Sequence, residues 1–486
     1  MINAGDAAAC VSDGVRDGDH EVILVLDLGS TWLKGGLARA DGSLLYIDRV
    51  ASPLRGATAL DAETVWQAVL AMLLQLHGKA GQGKALAIAI TGATRTHVFL
   101  DGQGQPCGPV MLWNDPAGAQ HGDCVAQAYG VAGSSAGYGA FHPLSRVLQF
   151  AQDHDGVLPQ AMAEIKDWLN SRLTGRLVTD TVAYGRIVSG HGGDTCLFDV
   201  LGRLGLRKSV VPSPASPVSV LGVATCSGLQ GVPVVVGSFD TWSSCLGMGA
   251  MLDGGVYDIS GTTQVLGTFS VRPRPVKGMV SMPWTDTLWQ TGGPCQTGMG
   301  SLAWFARAFL GSDDPADTLA AAQASSANDV PLCLPYLSGE RMPLWNDTLS
   351  ASFHGVKSHH VRADMAQALV EGLVLAHRLA LDVMQVRGPD AVLHMSGGGA
   401  QLSQWVQARA DGFDMPIELC VAEETALAGA ALAAGVATGR YDSIAAAQSV
   451  VAAGHSRILP RRERAAYFKS KAAAFSSMLS RDVSLS

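Results

Sequence analysis

The sequence predicts an α/β protein built as two related halves. Short apolar runs of strand length alternate with longer segments of helical period, which is the pattern of sheets covered by helices. That pattern restarts near residue 230, where an apolar strand, an acid, a glycine with hydroxyl residues and a second strand follow one another as they do near residue 21. At 486 residues the chain is also too long for one ordinary core, and 48% hydrophobic residues with 57 glycines fit a compact fold.

The elements follow in order. "VILVLDLG", "GGLARA" and "LLYIDRV" read as three successive strands, and "DAETVWQAVLAMLLQLHG" as a helix opening on the acids Asp61 and Glu63. "ALAIAITG" reads as a further buried strand and "THVFLDGQGQPCGPVMLW" as a hairpin turning through Gly102 to Gly104. "LPQAMAEIKDWLNSRLTG" reads as an amphipathic helix that Gly175 ends. In the second half, "VPVVVGSFD" is a strand leading to a carboxylate, and "GGVYDISGTTQVLGTFS" is a strand, a turn and a strand. Helices at 361–385, the strand "AVLHMSGGG" and the helices "LSQWVQARADG" and "EETALAGAALAAGVATG" come next. "RRERAAYFKSKAAAFSSMLS" closes the chain as a helix whose basic cluster reads as a solvated face. The expected boundaries are a flexible leader over 1–20, domains over 21–245 and 246–455, and a helical tail over 456–486.

Composition narrows the function. A net charge of −8 argues against a nucleic-acid footprint, so an anionic ligand would have to be met locally by a metal ion, backbone N–H groups and helix N-termini. Nine cysteines without a C-x-x-C pair read as reduced thiols of a cytoplasmic protein. Residues 1–20 lack a basic start and an apolar core, so no signal peptide is expected, and no apolar run has the length of a membrane span.

Several stretches carry chemistry, each beside a plainer alternative. In "LDLGSTWLK", Asp27 ends a strand where it could hold Mg²⁺, while Gly29, Ser30 and Thr31 offer N–H and hydroxyl donors to phosphate; the alternative is a polar hairpin turn. "DISGTTQ" repeats the arrangement with Gly261, Thr262 and Thr263. Asp240 follows a buried strand, where it could take the proton of an attacking hydroxyl or simply cap a helix. The glycines of "MSGGGAQLSQW", Gly398 and Gly399 among them, let backbone approach a ligand or pack strand on helix. Arg95, His97, Trp113 and Asp115 gather around one hairpin in a manner suited to a polyol; structural and core roles are the alternatives for His97 and Trp113. "GMGSLA" imitates a dinucleotide fingerprint without a clear preceding strand.

Taken in this order, the stretches resemble the FGGY carbohydrate kinases of the actin-like ATPase superfamily, over about residues 21–440. "LDLGSTWLK" is similar to the family's first phosphate motif and "ITGATRTHVFLDGQGQPCGPVMLWNDPAG" to its sugar-binding segment. "VVVGSFDTWSSCLGMG" resembles the segment of the general base, "ISGTTQV" the second phosphate loop, and "MSGGGAQLSQWVQARADGFDMPIEL" the adenosine segment. "LPYLSGERMPLWN" is the most family-specific piece. The resemblance implies two ribonuclease H-like domains flanking a central cleft, with ATP and Mg²⁺ as cofactors. It implies that Asp27 positions the metal and that Gly29 to Thr31 and Gly261 to Thr263 embrace phosphates. Gly300, Gly398 and Gly399 would line the nucleotide site, and Asp240 would be the base. The reaction it implies is transfer of the ATP γ-phosphate to a terminal hydroxyl of a small ketose, with xylulose the leading case. A kinase for glycerol, erythritol or a deoxyketohexose, or a non-catalytic nucleotide switch, is the alternative; a homodimer is compatible with it, and neither nucleic acid nor membrane is expected. The chain departs from the pattern in its sugar half. "TRTHVFLD" stands where xylulose kinases read Gln-Met-His-Gly, Arg146 and Gln149 stand for a Lys and a Trp, and "WNDPAG" lacks an Arg after its Asp.

Overall fold

The computed structural model describes residues 21–57, 59–81, 84–131, 137–140, 142–188, 196–386, 391–420, 424–451 and 455–485. The expected leader over 1–20 lies outside them. The chain forms two compact units, Met1–Gly247 with Glu424–Val451, and Met248–Glu423 with Ala452–Ser486.

The first unit opens with β1 (Glu21–Leu28), β2 (Trp32–Ala38), β3 (Leu44–Ala51), α1 (Ala62–Ala80) and β4 (Lys84–Gly92). A peripheral region follows: β5 (His97–Leu100), α2 (Gly122–Ala128), α3 (Pro143–Asp153), β6 (Ala161–Glu164), α4 (Ile165–Thr174), β7 (Thr179–Asp180), α5 (Thr181–Val188), α6 (Leu197–Arg203) and β8 (Pro214–Ala215). Then β9 (Val220–Val223) and β10 (Pro233–Val235) complete the main sheet, and α7 (Asp240–Gly247) follows it. The sheet order is β3-β2-β1-β4-β10-β9, with β1, β4 and β10 parallel and the other neighbours antiparallel.

Period-two alternation explains why β1 is apolar throughout. Val22, Leu24 and Leu26 pack with Val65, Val69 and Leu73 of α1, whereas Ile23 and Val25 join a cluster on the opposite face. A central parallel strand buried on both sides must be hydrophobic at every position.

One expectation changes here. The stretch read as one helix from residue 158 begins as β6, because "AMAE" pairs antiparallel with His97–Leu100; the helix itself starts at Ile165, and Gly175 ends it at φ 74°. The expected hairpin after Thr96 does turn through Gly102 to Gly104, with the Asp101 N–H donating to the Gln105 carbonyl and His97 and Met111 exchanging N–H bonds, each at 2.9 Å, and β5 pairs in addition with β6.

The second unit contains β11 (Val256–Ser260), β12 (Gln264–Ser270), β13 (Val280–Pro283), β14 (Trp289–Cys295), α8 (Met299–Phe305), α9 (Pro315–Gln323), β15 (Leu332–Leu334), β16 (Ser352–His354), α10 (Arg362–Val383), β17 (Leu393–Ser396), α11 (Ser403–Phe413) and β18 (Ile417–Cys420). α12 (Thr425–Ala437) and α13 (Ile444–Ser449) return to the first unit, and β19 (His455–Ile458) and α14 (Arg462–Leu485) finish the second. Its sheet order is β13-β14-β12-β11-β17-β18-β19. From β14 onward the sequence of pairings is antiparallel, antiparallel, parallel, parallel, antiparallel, the same as in the first unit. The two β-turns with hydroxyl residues, Gly29–Thr31 and Gly261–Thr263, occupy the same place in the two sheets.

The return of α12 differs from the expected boundary, which grouped it with the second half. Its Ala and Gly content is the physical reason. Leu427, Ala430, Ala431 and Ala434 cover Ile23 and Val25, opposite the alanines Ala87 and Ala89 of β4. The crossing with α7 is closer still: a Cβ at Gly429 would lie 1.8 Å from the Ser243 carbonyl oxygen, so only glycine fits.

The basic face of α14 is not simply solvated. Arg461 binds the buried Asp411 through its backbone N–H and guanidinium, at 2.7 and 2.5 Å. Arg464 and Lys471 bind the buried Glu371 at 3.0 and 2.7 Å, with Tyr467 as a third donor at 2.9 Å. These charges tie the tail to α10 and α11. Among the described residues no helix is long and apolar enough to cross a membrane.

Candidate active site

In the first unit several acids act on one another near the end of β1. Asp27, the penultimate residue of β1, is 7% exposed, and its Oδ1 has no hydrogen-bond partner. Burial pushes its carboxyl up to about 7, with Asp240 and Glu424 adding to the shift and Lys34 opposing it. Lys34, across the ladder on β2, pairs with Glu424 at the start of α12 at 2.6 Å. Asp240 opens α7 and accepts from the Thr241 N–H at 2.7 Å and its hydroxyl at 3.2 Å. Burial raises the Asp240 carboxyl too, against the Thr241 bonds and the nearby Arg186.

Asp240 is held from behind. Thr91 of β4 donates to the Ser238 carbonyl at 2.8 Å, and the Ser238 hydroxyl donates to Asp180 at 3.0 Å. Asp180 also accepts from the N–H groups of Val182 and Ala183, capping α5, which carries Arg186. The Arg186 guanidinium bonds Thr94 and lies 3.7 Å from the centre of the Phe239 ring.

The sugar-segment residues gather around a different hub. Arg146, fully buried on α3, donates to the carbonyls of Ala140 at 2.7 Å, Arg95 at 2.5 Å, Met111 at 3.4 Å, Trp113 at 3.2 Å and Asp115 at 3.4 Å. One planar fork therefore fixes the backbone of the whole segment, which a point-charged lysine could not do. The departure from the family's Lys thus has a structural purpose. Arg95 itself sits at φ 58° in the left-handed region. His97 is 1% exposed, with Nδ1 3.3 Å from Arg146 and Nε2 3.6 Å from Glu164. Burial lowers the His97 ring's pKa against the pull of Glu164. Trp113 packs on the edge of the core, and Asp115 closes a local turn on the Ala117 N–H at 2.9 Å. So the structure brings Asp27 and Asp240 into one electrostatic neighbourhood with Arg186 and Glu164, while the side chains of His97 and Trp113 are engaged within the protein.

In the second unit Gly399 packs on Ser260, which the sequence did not single out, and Gly300 packs on the Thr262 turn. Gly261 N–H donates to the Thr263 carbonyl at 3.1 Å, and Gly300 N–H donates to the Thr262 carbonyl at 2.9 Å. A Cβ at Gly399 would fall 2.1 Å from the Ser260 hydroxyl, and Trp405 donates to that hydroxyl at 3.0 Å. Gly398 instead has open space where a side chain would stand. β14 ends at Cys295, so a strand does precede "GMGSLA"; its glycines serve contact with the Thr262 turn.

Two models of the FGGY family of carbohydrate kinases match, the N-terminal domain over residues 22–247 and the C-terminal domain over 256–438. The chain belongs to that family. Its members are ATP-dependent kinases, and each half of the fold is an actin-like ATPase domain. An L-xylulose/3-keto-L-gulonate kinase of Escherichia coli (strain K12) is 28% identical over 467 residues, 87% of this chain and 90% of its own. A gluconokinase of Bacillus subtilis (strain 168) is 24% identical over 463 residues, 88% of this chain and 90% of its own. A ligand-bound xylulose kinase from Lactobacillus acidophilus shares the fold with a TM-score of 0.84 at 22% identity, covering 94% of this chain and 97% of that one.

The FGGY kinase cofactors fit the residues present. An orphaned, buried carboxylate oxygen on Asp27 suits a cation, and the open space at Gly398 suits close approach of a nucleotide. Elsewhere, Asp329, His359 and His360 converge in the second unit but do not form a metal set. The Lys357 N–H donates to His360 Nδ1 at 2.9 Å, which leaves the proton on Nε2, facing Asp329, and the Lys357 ammonium already pairs with that carboxylate at 2.8 Å. A cavity of about 540 Å³ between α9, α10, α11 and α14 includes none of the expected site residues.

Lys34, Glu424, Glu164 and Arg186 were missed by sequence reasoning. Lys34 had a signal, since it ends the quoted "LDLGSTWLK" on the strand that pairs with Asp27. Glu424 had a weaker one, as the acid opening "ETALAG".

Proposed function

We propose that this FGGY kinase transfers the γ-phosphoryl group of ATP to a terminal hydroxyl of a small ketose, with a ketopentose such as xylulose as the leading substrate. The observation that carries it is Asp240 at the start of α7, close enough to the buried Asp27 near the end of β1 to help raise its carboxyl. Bound Mg-ATP supplies the phosphoryl group and the cation that offsets its charge. Asp27 would hold the metal, and Gly29, Ser30, Thr31, Gly261, Thr262 and Thr263 would bind phosphate through N–H groups and hydroxyls. Gly300, Gly398 and Gly399 would form the nucleotide end of the second unit.

Asp240 takes the proton of the sugar hydroxyl as that oxygen bonds phosphorus, a role worth roughly 10²–10⁴ in rate. A carboxylate whose basicity is raised by burial serves better than one at its ordinary value. Arg95 and Asp115 offer polar groups to the sugar, and Trp113 an apolar wall. The burial of His97 makes it the support of Glu164.

A second reading is an aldonate or ketoaldonate, favoured by two guanidinium groups, Arg186 near Asp240 and Arg95 near His97, and by the names of the two relatives. ADP release with Mg-ATP, measured against pentuloses, deoxyhexuloses, aldonates, ketoaldonates, glycerol and erythritol, separates the two. Highest kcat/KM on a pentulose supports the first reading, highest on a sugar acid the second, and turnover of glycerol alone overturns both.

A further inference from the structure

In the second unit one buried chain of polar groups joins "LSGERMP" to the strands of the Gly261–Thr263 turn. Glu340 accepts from the Thr297 hydroxyl at 2.7 Å, from the Arg341 N–H at 2.8 Å and from the Gln296 N–H. Thr297 lies in the link between β14 and α8. His377 of α10 stands beside that link, its Nε2 3.3 Å from both the carbonyl oxygen and the hydroxyl of Thr297. Its Nδ1 is 2.7 Å from Nη1 of Arg409. A guanidinium has donors only, so Nδ1 accepts, and the ring proton sits on Nε2, facing Thr297. Arg409 of α11 then bonds Asp258, whose other oxygen accepts from the Gln264 amide.

The chain ends where the turn begins. Asp258 lies on β11 two residues before Ser260, and Gln264 is the first residue of β12, so Asp258 clamps both stems of the turn. At the other end, Thr297 precedes Gly298, the N-cap of α8. There Met299 and Gly300 donate to the carbonyls of Gly261 and Thr262, at 3.0 and 2.9 Å. Thr297, His377, Arg409 and Asp258 are no more than 2% exposed. A buried ion pair of this kind is weak evidence for stability, since apolar replacements of equal volume are often neutral or better.

We propose that Glu340, Thr297, His377, Arg409 and Asp258 act together as the positioning device of the second phosphate turn, setting the carbonyl and N–H directions that meet the nucleotide. They touch no reacting atom and act through the turn and α8. The proposal rests on reading that turn as part of the nucleotide site.

The test is Thr297→Val, which keeps side-chain shape and removes the bridging hydroxyl, with Thr297→Ser as rescue. The expected result is a KM for ATP raised about tenfold, a sugar KM within about twofold of the parent, and recovery in Thr297→Ser. A structural role alone would lower the melting temperature and the active fraction without moving either KM. Unchanged KM values, or equal rises in both, overturn the proposal. Where Thr297→Val does not fold, Glu340→Gln is read the same way. Gly398→Val tests the underlying site through ADP affinity by calorimetry. Unchanged affinity there overturns the nucleotide reading and the proposal with it; weakened affinity there, with Thr297→Val unaffected, overturns the positioning role alone.

Discussion

Replacing Asp27 by Asn should stabilise this enzyme while disabling it, and the gain should grow with pH. The Asp27 carboxyl stands at about 7 against an ordinary 3.8 because it is buried beside Asp240 and Glu424. Between those values the folded protein keeps a proton that the unfolded chain has released, so rising pH costs stability until the folded group ionises near 7. At 1.36 kcal/mol per unit, the shift amounts to at most about 4 kcal/mol above pH 7 and about 1–2 kcal/mol at pH 5. Asn reproduces the protonated form and does not titrate. The advantage of Asp27→Asn should therefore widen by about 2–3 kcal/mol from pH 5 to pH 8, or roughly 5–10 °C in melting temperature. Thermal unfolding of both proteins in chelator at the two pH values measures this. A gap independent of pH, or an Asn variant less stable at pH 8, would refute the reasoning that burial and neighbouring acids hold the proton on Asp27.

Three further outcomes are expected. If Asp27 must ionise to hold Mg²⁺, the apparent Mg²⁺ affinity should rise about fivefold from pH 6 to pH 7 and less than twofold from pH 7 to pH 8, by titration of activity at fixed ATP; a flat profile removes Asp27 from the metal site. Arg146→Lys strands several buried carbonyls of the sugar segment and should cost about 2–4 kcal/mol in denaturant unfolding, with a raised sugar KM and an unchanged ATP KM. Gly399→Val drives a side chain into the Ser260 hydroxyl and should weaken ADP binding at least tenfold by calorimetry, with little change in sugar KM.

Much of the fold was legible because its central strands are buried on both faces. β1 and β4 read as unbroken apolar runs, and the glycine and hydroxyl turns beside them stood out. "AMAE" was misread because alanine and methionine favour helices, and only a partner more than sixty residues upstream, His97–Leu100, makes it a strand. The return of α12 was hidden for a similar reason, since its fit against α7 depends on backbone approach at Gly429 and not on any periodic pattern. In the site, Asp27 and Asp240 were legible from strand ends. Glu164, Arg186 and Arg146 were not, because single charges in ordinary surroundings acquire meaning only through folded neighbours. Arg146 looked like a lost lysine in the chain and is the hub of five carbonyls in the structure.

The central claim is that Asp240 removes the proton from the acceptor hydroxyl. Single-turnover phosphoryl transfer from Mg-ATP to the best sugar of the panel, for the parent enzyme and Asp240→Asn with ADP affinity measured alongside, tests it most directly. The account predicts a loss of roughly 10²-fold or more in transfer with ADP affinity nearly unchanged. Transfer by Asp240→Asn at the parent rate would contradict it.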